Sequence, residues 1–502
     1  MTMYKFRISS SVSGAGLALV LAFTGSAFAQ AKPKAAPVAV AAVTAAPAAL
    51  AQQTSTEADR RAVSITVYNQ NFGVVREVRE LATLGTGQVS LEFRDVAANI
   101  QPETVAIKSL TAPGAISVLE QNYRYDLLTP QTLLQKYVGK KIRTYRYHEA
   151  TGKEEAADAE LLSVAEQPIL RLNGEVTFGY PARFAFPQVP DNLIAKPTLM
   201  WLVSSQRASQ TVEVSYLTQN LNWSADYVLV VNEQDTQAAL QGWVTLVNHS
   251  GASYKNAQLQ LVAGDVNRVQ PERAYKSSSL SVPMAAPSGG AGFSEQGLFE
   301  YHIYTLGRPT TVLQNEQKQV SLLEADAIKI DKKLIFFGQP YWFRGQYAEL
   351  QSNQKVGVFL DFKNEQQNKL GIPLPKGTLR VYKADKSGAK QFVGEDQIDH
   401  TPRDEKVRVK LGEAFDVVGD RKQTEYRVLG SCSAESRWEI ELRNHKDTAV
   451  QVEDFEPIGG DWTMLESSQP YDKKDAASFS FTVKVPARGK TKVTYRVRLR
   501  YC

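Results

Sequence analysis

From Arg61 onward the chain is written in short runs where β-branched and aromatic residues alternate or cluster between turn signals, a period of two that leaves little room for helix. Ile65-Thr66-Val67-Tyr68, Gly73-Val74-Val75-Arg76-Glu77-Val78 and Val89-Ser90-Leu91-Glu92-Phe93 set the habit. Val212 to Tyr216 and Trp243 to Val247 continue it. One short helix is predicted near Thr129 to Tyr137, with Pro130 where a first helical turn tolerates it. The pattern predicts an all-β chain. An internal echo adds tandem immunoglobulin-like β-sandwiches to this: a strand ends in Asn, a polar turn follows, and a second strand begins. It occurs from Trp243 (WVTLVNHSGASYKNAQLQLV), Val358 (VFLDFKNEQQNKLGIPL) and Glu439 (EIELRNHKDTAVQVEDF).

The 502 residues suffice for three or four domains of roughly 100–150 residues each. Residues 1–29 have the form of a signal peptide: Lys5 and Arg7, an apolar stretch from Gly14 to Phe23, then Ala27-Phe28-Ala29 before a cleavage point. That stretch is shorter than the roughly 20 residues a membrane span needs, and no later segment approaches that length, so export with cleavage is expected. Residues 30–60 form an Ala/Pro-rich linker. An N-terminal sandwich is expected over 61–129 and 188–269, interrupted by 130–187. The interruption reads as a short helix and several strands joined by tight turns, Asn173-Gly174 among them, which suggests an inserted small SH3-like or Sm-like barrel. Residues 270–297, rich in Ser, Pro, Gly and Ala, are expected to be a flexible loop, and 298–502 a C-terminal sandwich region.

The formal charge is +5, but residues 1–60 carry +3 of it, so the folded body is near neutral and anion binding must be local. Two places invite it. Lys136, Lys140, Lys141, Arg143 and Arg146 are interleaved with Tyr137, Tyr145 and Tyr147 and run to His148, without an acid among them. Cations neutralise phosphates while aromatic faces stack on bases or sugars, so this segment is a candidate nucleic-acid or polyanion site. Against that stand Glu149, Glu154, Glu155 and Asp158 just downstream, which would make it a solvated strand face. At the C-terminus, alternation puts Arg496, Arg498 and Arg500 on one face and Val497, Leu499 and Tyr501 on the other. These arginines form either an exposed ladder or cross-strand ion pairs with Glu439 and Glu441. The only cysteines, Cys432 and Cys502, can pair within the chain, stay free, or pair between chains.

Several strings bring a family into view. ITVYNQNFGVVR from Ile65, DVAANIQPETV from Asp95, NLNWSADYVLVV from Asn220 and LQLVAGDVNRV from Leu259 resemble the domain-of-unknown-function 4139 family of bacterial proteins. FEYHIYTLGRPTTV from Phe299, KQVSLLEA from Lys318, GIPLPKGTLRVYK from Gly371 and GEAFDV from Gly412 extend the resemblance over most of 62–502. Mucoidy-inhibitor-A-like relatives carry a coiled coil in the N-terminal half, and this chain does not. The resemblance implies an exported β-rich envelope protein and brings no catalytic residues.

Enzyme signatures are largely missing: there is no GxSxG, HExxH, phosphate-binding loop or dinucleotide fingerprint. His148, His249, His302, His400 and His445 are scattered singly, with no metal-ligand spacing, and no cofactor is expected. Asp265, Asp396 and Asp399 read as turn caps. Tyr123, Tyr125, Tyr301, Tyr304 and Tyr341-Trp342-Phe343 could stack on sugars, although strand aromatics usually serve a core. The expectation is an exported, non-catalytic protein of the periplasm or cell surface that binds an envelope protein or surface polymer. Binding of nucleic acid or another polyanion through residues 136–148 is the alternative. A hydrolase comes third, requiring His302 or His400 to meet Asp265 or Asp399 in one pocket.

Overall fold

The structure is a computed structural model that describes residues 50–149, 152–190, 193–268, 293–347, 351–385 and 387–502. The expected signal peptide, the first part of the linker and most of the expected 270–297 loop lie outside the described residues. What is described is almost wholly β. Its one α-helix among the described residues, Pro130–Lys136, starts where Thr129 Oγ1 accepts the Thr132 amide at 3.1 Å.

Order begins before Arg61. Ala51–Ser55, inside the expected linker, pairs in parallel with Gly87–Arg94. With Thr198–Ser205 and Ile116–Arg124 these strands form a four-stranded sheet, Ile116–Arg124 at its free edge. The alternation read in Val89, Leu91 and Phe93 turns those side chains inward, against Trp201 and Val203 of the neighbouring strand. An eight-stranded sheet faces the same core, with Arg60–Tyr68, Phe72–Leu81, Gln210–Gln219 and Tyr254–Ala263 at its centre.

The eight-stranded sheet corrects the division expected at 270–298. Phe293–Leu298 is a strand rather than loop, and it pairs with Tyr301–Leu306, which pairs in turn with Tyr254–Ala263. The chain therefore returns to the sheet it left, and no new domain begins at residue 298. The reason it was missed is local: FSEQGL carries only Phe293 and Leu298 as large apolar residues, too few for a visible period.

Thirteen further strands form a third sheet. Two of them are long, Glu316–Phe337 with 22 residues and Lys406–Gly430 with 25. The first half of Glu316–Phe337 pairs with Gln237–Asn248, and its end pairs with Gln351–Lys363 and Val450–Pro457. One strand thus passes from the large first core, which reaches Val409, into the second, which runs from Leu334 to Leu499.

Residues 141–185 make a separate five-stranded sheet over a small core of Tyr137, Ile142, Ala159, Leu161 and Leu170. The barrel expected here does not close. Its outer strands, Glu175–Phe178 and Arg183–Ala185, do not pair with each other, the latter has three residues, and Val176 and Phe178 stay 63% and 69% exposed instead of filling a lumen.

The internal echo has a physical counterpart. Each strand-ending asparagine is buried, and its amide ties two loops together. Asn248 Nδ2 donates to the carbonyls of Ala252 (2.8 Å) and Leu313 (3.0 Å). Asn364 Nδ2 donates to Ile372 and Pro402, both 2.8 Å. Asn444 Nδ2 donates to Thr448 (2.8 Å) and Pro486 (3.0 Å). The three side-chain oxygens accept the amides of Ser250, Gly371 and Lys446. A buried asparagine satisfied on both ends fixes loop geometry as an apolar residue could not.

Candidate functional site

The basic segment lies mainly on strand Lys141–His148, whose partner Lys153–Ser163 places an acid opposite several of its cations. Lys141 faces Glu160, Arg143 faces Asp158 and Arg146 faces Glu155 in register. Arg143 Nε donates to Asp158 at 3.2 Å, Lys136 reaches Asp126 at 2.7 Å, and His148 contacts Glu155 at 2.9 Å. Lys140 sits 5.4 Å from the Tyr137 ring and Arg146 5.7 Å from that of Tyr180. Tyr137 itself is core, Tyr145 is half-buried beneath Arg183, and Tyr147 is exposed. The aromatic faces are thus largely engaged, and Lys136, Arg143 and His148 have counter-charges, whereas Lys140, Lys141 and Arg146 make no ion pair among the described residues.

Strand Gly489–Arg500 shows the alternation read from its sequence, with Val493, Tyr495, Val497 and Leu499 buried. It pairs with Ser433–Asn444, where Glu439 lies opposite Thr494 and Glu441 opposite Lys492, so neither faces Arg496, Arg498 or Arg500. Lys492 reaches Glu439 at 2.8 Å and Lys490 reaches Glu441 at 3.1 Å. Arg498 pairs with Glu435 at 2.6 Å, and Arg496 with Glu425 of the long strand Lys406–Gly430. Arg500 lies across from Ser433 on one side and Asp461 on the other. Beyond it, Cys502 is disulfide-bonded to Cys432, with the two Cα atoms 5.4 Å apart.

Part of the histidine constellation does assemble. His302 Nδ1 lies 2.8 Å from Glu295 Oε1, and Arg403 is 3.6 Å from the other carboxylate oxygen, so the imidazole donates from Nδ1. His400 Nδ1 accepts the Lys376 amide, which leaves its proton on Nε2, an atom that is buried without a partner. Burial, and then the charge of Lys376, push the His400 pKa down, while Asp265 and Asp399 act in the opposite sense. Lys376 Nζ in turn binds Asp265 at 3.2 Å. A polar cleft of about 560 Å3 opens beside them, lined by Asn69, Asn222, Asp226, Lys376 and Asp399 among others. Neither imidazole lines it. Among the described residues no hydroxyl or thiol hydrogen-bonds to His302 or His400, and no three His, Cys, Asp or Glu side chains are placed to share a metal ion. The cluster can orient polar groups, and it holds no activated nucleophile.

Two buried charge clusters escaped the sequence reading. Arg421 is fully buried; its Nη2 meets Asp454 Oδ1 at 2.9 Å and Glu456 Oε1 at 2.5 Å, and its Nη1 meets the Phe337 carbonyl at 3.0 Å. The guanidinium also lies 4.6 Å from the Phe336 ring and 4.8 Å from that of Trp342. Burial pushes both carboxyl pKa values up, against the pull of Arg421, which favours a proton held within the acid pair. In the first core Arg79 makes a matching pair with Glu77 at 2.7 Å, stacked 3.6 Å from the Phe93 ring. The signal for both was a charged residue at an inward strand position, which period-two counting treats as noise.

Comparison with known families adds the remaining finding. The family described as a domain of unknown function, DUF4139, matches residues 212–502, more than half of the chain. The chain belongs to this family. Comparison with curated proteins gave no match. The DUF4139 region takes in the arginine strand, the disulfide, the histidine constellation and the Arg421 cluster, whereas the basic segment 136–148 precedes it. Among the described residues no helix is long and apolar enough to cross a membrane.

Proposed function

We propose that this protein is an exported, non-catalytic component of the cell envelope that works by binding a partner. The supporting observation is the edge strand Ile116–Arg124. It pairs with Thr198–Ser205 on one side and ends its sheet on the other. Six consecutive residues, Ser117 to Asn122, are exposed, with Val118 at 39% and Leu119 at 49%. An edge of this kind offers a row of backbone donors and acceptors to which an extended segment of another protein can add as a new strand. The bulge at Leu119 and the charge on Glu120 restrict which segments fit. Cleavage at Ala29 and residence in the periplasm or at the surface follow from the N-terminal sequence.

The test is photo-crosslinking from position 120 in envelope fractions, with wild type and the double variant Val118→Lys, Leu119→Lys. Salt-resistant capture of one protein by wild type and its loss in the variant support the proposal. Equal capture by both, or turnover of a defined substrate by the purified protein, overturns it. Polyanion binding through 136–148 is the second reading, carried by the exposure of Tyr147 and the adjoining cations. Its acidic neighbours weaken it.

A further inference from the structure

We infer that the outer face of the eight-stranded sheet holds a binding site for an oxyanion, a carboxylate or phosphate, borne on a hydroxyl-rich ligand such as an acidic oligosaccharide. It rests on the binding role proposed above and places a second, separate surface in that role. Arg61, Arg76 and Arg308 line one cleft of about 460 Å3, together with Ser64, Asn256 and Gln258. They come from four parts of the chain. Arg61 and Ser64 lie on Arg60–Tyr68, Arg76 on Phe72–Leu81, and Asn256 and Gln258 on Tyr254–Ala263. Arg308 is in the turn after Tyr301–Leu306.

The sheet register explains the convergence. Gln258, Ser64 and Arg76 stand side by side across three adjacent strands, so they share the outer face. Alternation alone would turn Arg61 toward the core, because it stands three residues, an odd number, from the outward-facing Ser64. A bulge between Arg60 and Ala62 resolves this by leaving Arg61 outside the ladder, with its side chain 62% exposed. Re-aiming a side chain is a common use of such a bulge.

Charge accounting leaves the cleft positive. Arg61 is held by Glu80 at 2.6 Å, and Arg76 is 3.7 Å from Glu213, which is closer to Lys108 at 2.8 Å. Arg308 has no ion pair among the described residues. Three guanidiniums and one ammonium thus face two carboxylates, and neither carboxylate lines the cleft. Guanidinium forks match carboxylate and phosphate oxygens, while the amides and the hydroxyl between them suit ligand hydroxyls. No aromatic residue lines the cleft, so it offers no platform for stacked bases. Sugar rings gain no platform either, but the ring hydroxyls of a saccharide can be held by Ser64, Asn256 and Gln258 without stacking, and this favours an acidic saccharide over a nucleic acid.

Calorimetric titration with tetragalacturonate, inorganic phosphate and an oligo-dT strand tests the site. Tetragalacturonate is expected to bind the wild-type protein more tightly than inorganic phosphate does, and to weaken as salt rises. Arg308→Ala and Arg76→Ala are each expected to lose at least tenfold in affinity. Arg308→Ala strands no carboxylate, so its thermal unfolding should match wild type and binding loss cannot be ascribed to misfolding. No measurable binding of tetragalacturonate, or equal binding by the variants, overturns the inference. Phosphate binding as tightly as tetragalacturonate overturns the hydroxyl-rich ligand, and oligo-dT binding more tightly overturns the saccharide. Crosslinking through position 120 that survives Arg308→Ala shows that the edge-strand proposal stands whatever these titrations give.

Discussion

Removing the guanidinium from the second core should be the most damaging single change in the chain. In Arg421→Met the side-chain volume is largely kept, but Asp454 and Glu456 lose their shared cation at 2.9 and 2.5 Å and remain fully buried. Breaking a buried pair by removing one partner costs about 3–5 kcal/mol, because the charge left behind is uncompensated. Both carboxyls would respond by taking up protons, which caps the loss within that range. Glu456→Gln is the contrasting variant. Its amide imitates the protonated acid that burial already favours, so it should cost less than about 1 kcal/mol at neutral pH. The pH dependence has a definite sign. A carboxyl whose folded pKa is raised gives stability that is complete below the unfolded pKa and drains away as pH rises through the folded value. Wild type should therefore lose stability in the second core from mildly acidic toward alkaline pH, and Glu456→Gln should flatten that decline. Denaturant unfolding followed by the fluorescence of Trp342 and Trp438, which pack in this core, reads both effects. If Arg421→Met stays within about 1 kcal/mol of wild type, or Glu456→Gln is equally damaging, the account of the cluster fails.

The loop-tying asparagines should behave alike: Asn364→Ala and Asn444→Ala each strand several buried carbonyls and should cost about 2–3 kcal/mol in denaturant unfolding. A cost below about 0.5 kcal/mol would show that the loops hold themselves. Cys432→Ser opens a disulfide spanning 70 residues and should lower stability by up to about 4 kcal/mol; wild type should run as a monomer on non-reducing gels, and a disulfide-linked dimer there would contradict the intrachain bond. Gly251→Ala should cost more than about 1 kcal/mol, because φ is +89° and the new Cβ would sit 2.2 Å from Ala98 Cβ; unchanged thermal unfolding would refute the tight approach. Charge reversal at Lys140, Lys141 and Arg143 should leave affinity for tetragalacturonate unchanged, and a tenfold loss by titration would restore the 136–148 segment as the anion site.

What the sequence made legible follows from how local each signal is. Period two located the strands of both cores, because Val89, Leu91 and Phe93, or Val493 to Leu499, need only their own neighbours to declare a face. The helix start at Pro130 and the strand-ending asparagines were readable for the same reason, but not that the strands on either side of each asparagine do not pair with each other. The return of Phe293–Leu298 to its earlier sheet was not, because strand order is decided by contacts across 30 or more residues of sequence. The arginine ladder was half legible: its faces were set by alternation, whereas its partners depended on a register that alternation cannot fix. Arg61, Arg76 and Arg308 stayed hidden because one is turned by a bulge and another comes from a turn more than 200 residues away.

The central claim, a binding protein that uses its sheet edge, is tested most directly by crosslinking from position 120 in intact envelopes. The account predicts one salt-resistant protein adduct that maps to residues 117–122 and disappears in the Val118→Lys, Leu119→Lys variant. An adduct that persists unchanged in that variant, or the absence of any adduct from a protein shown to be exported, would contradict it.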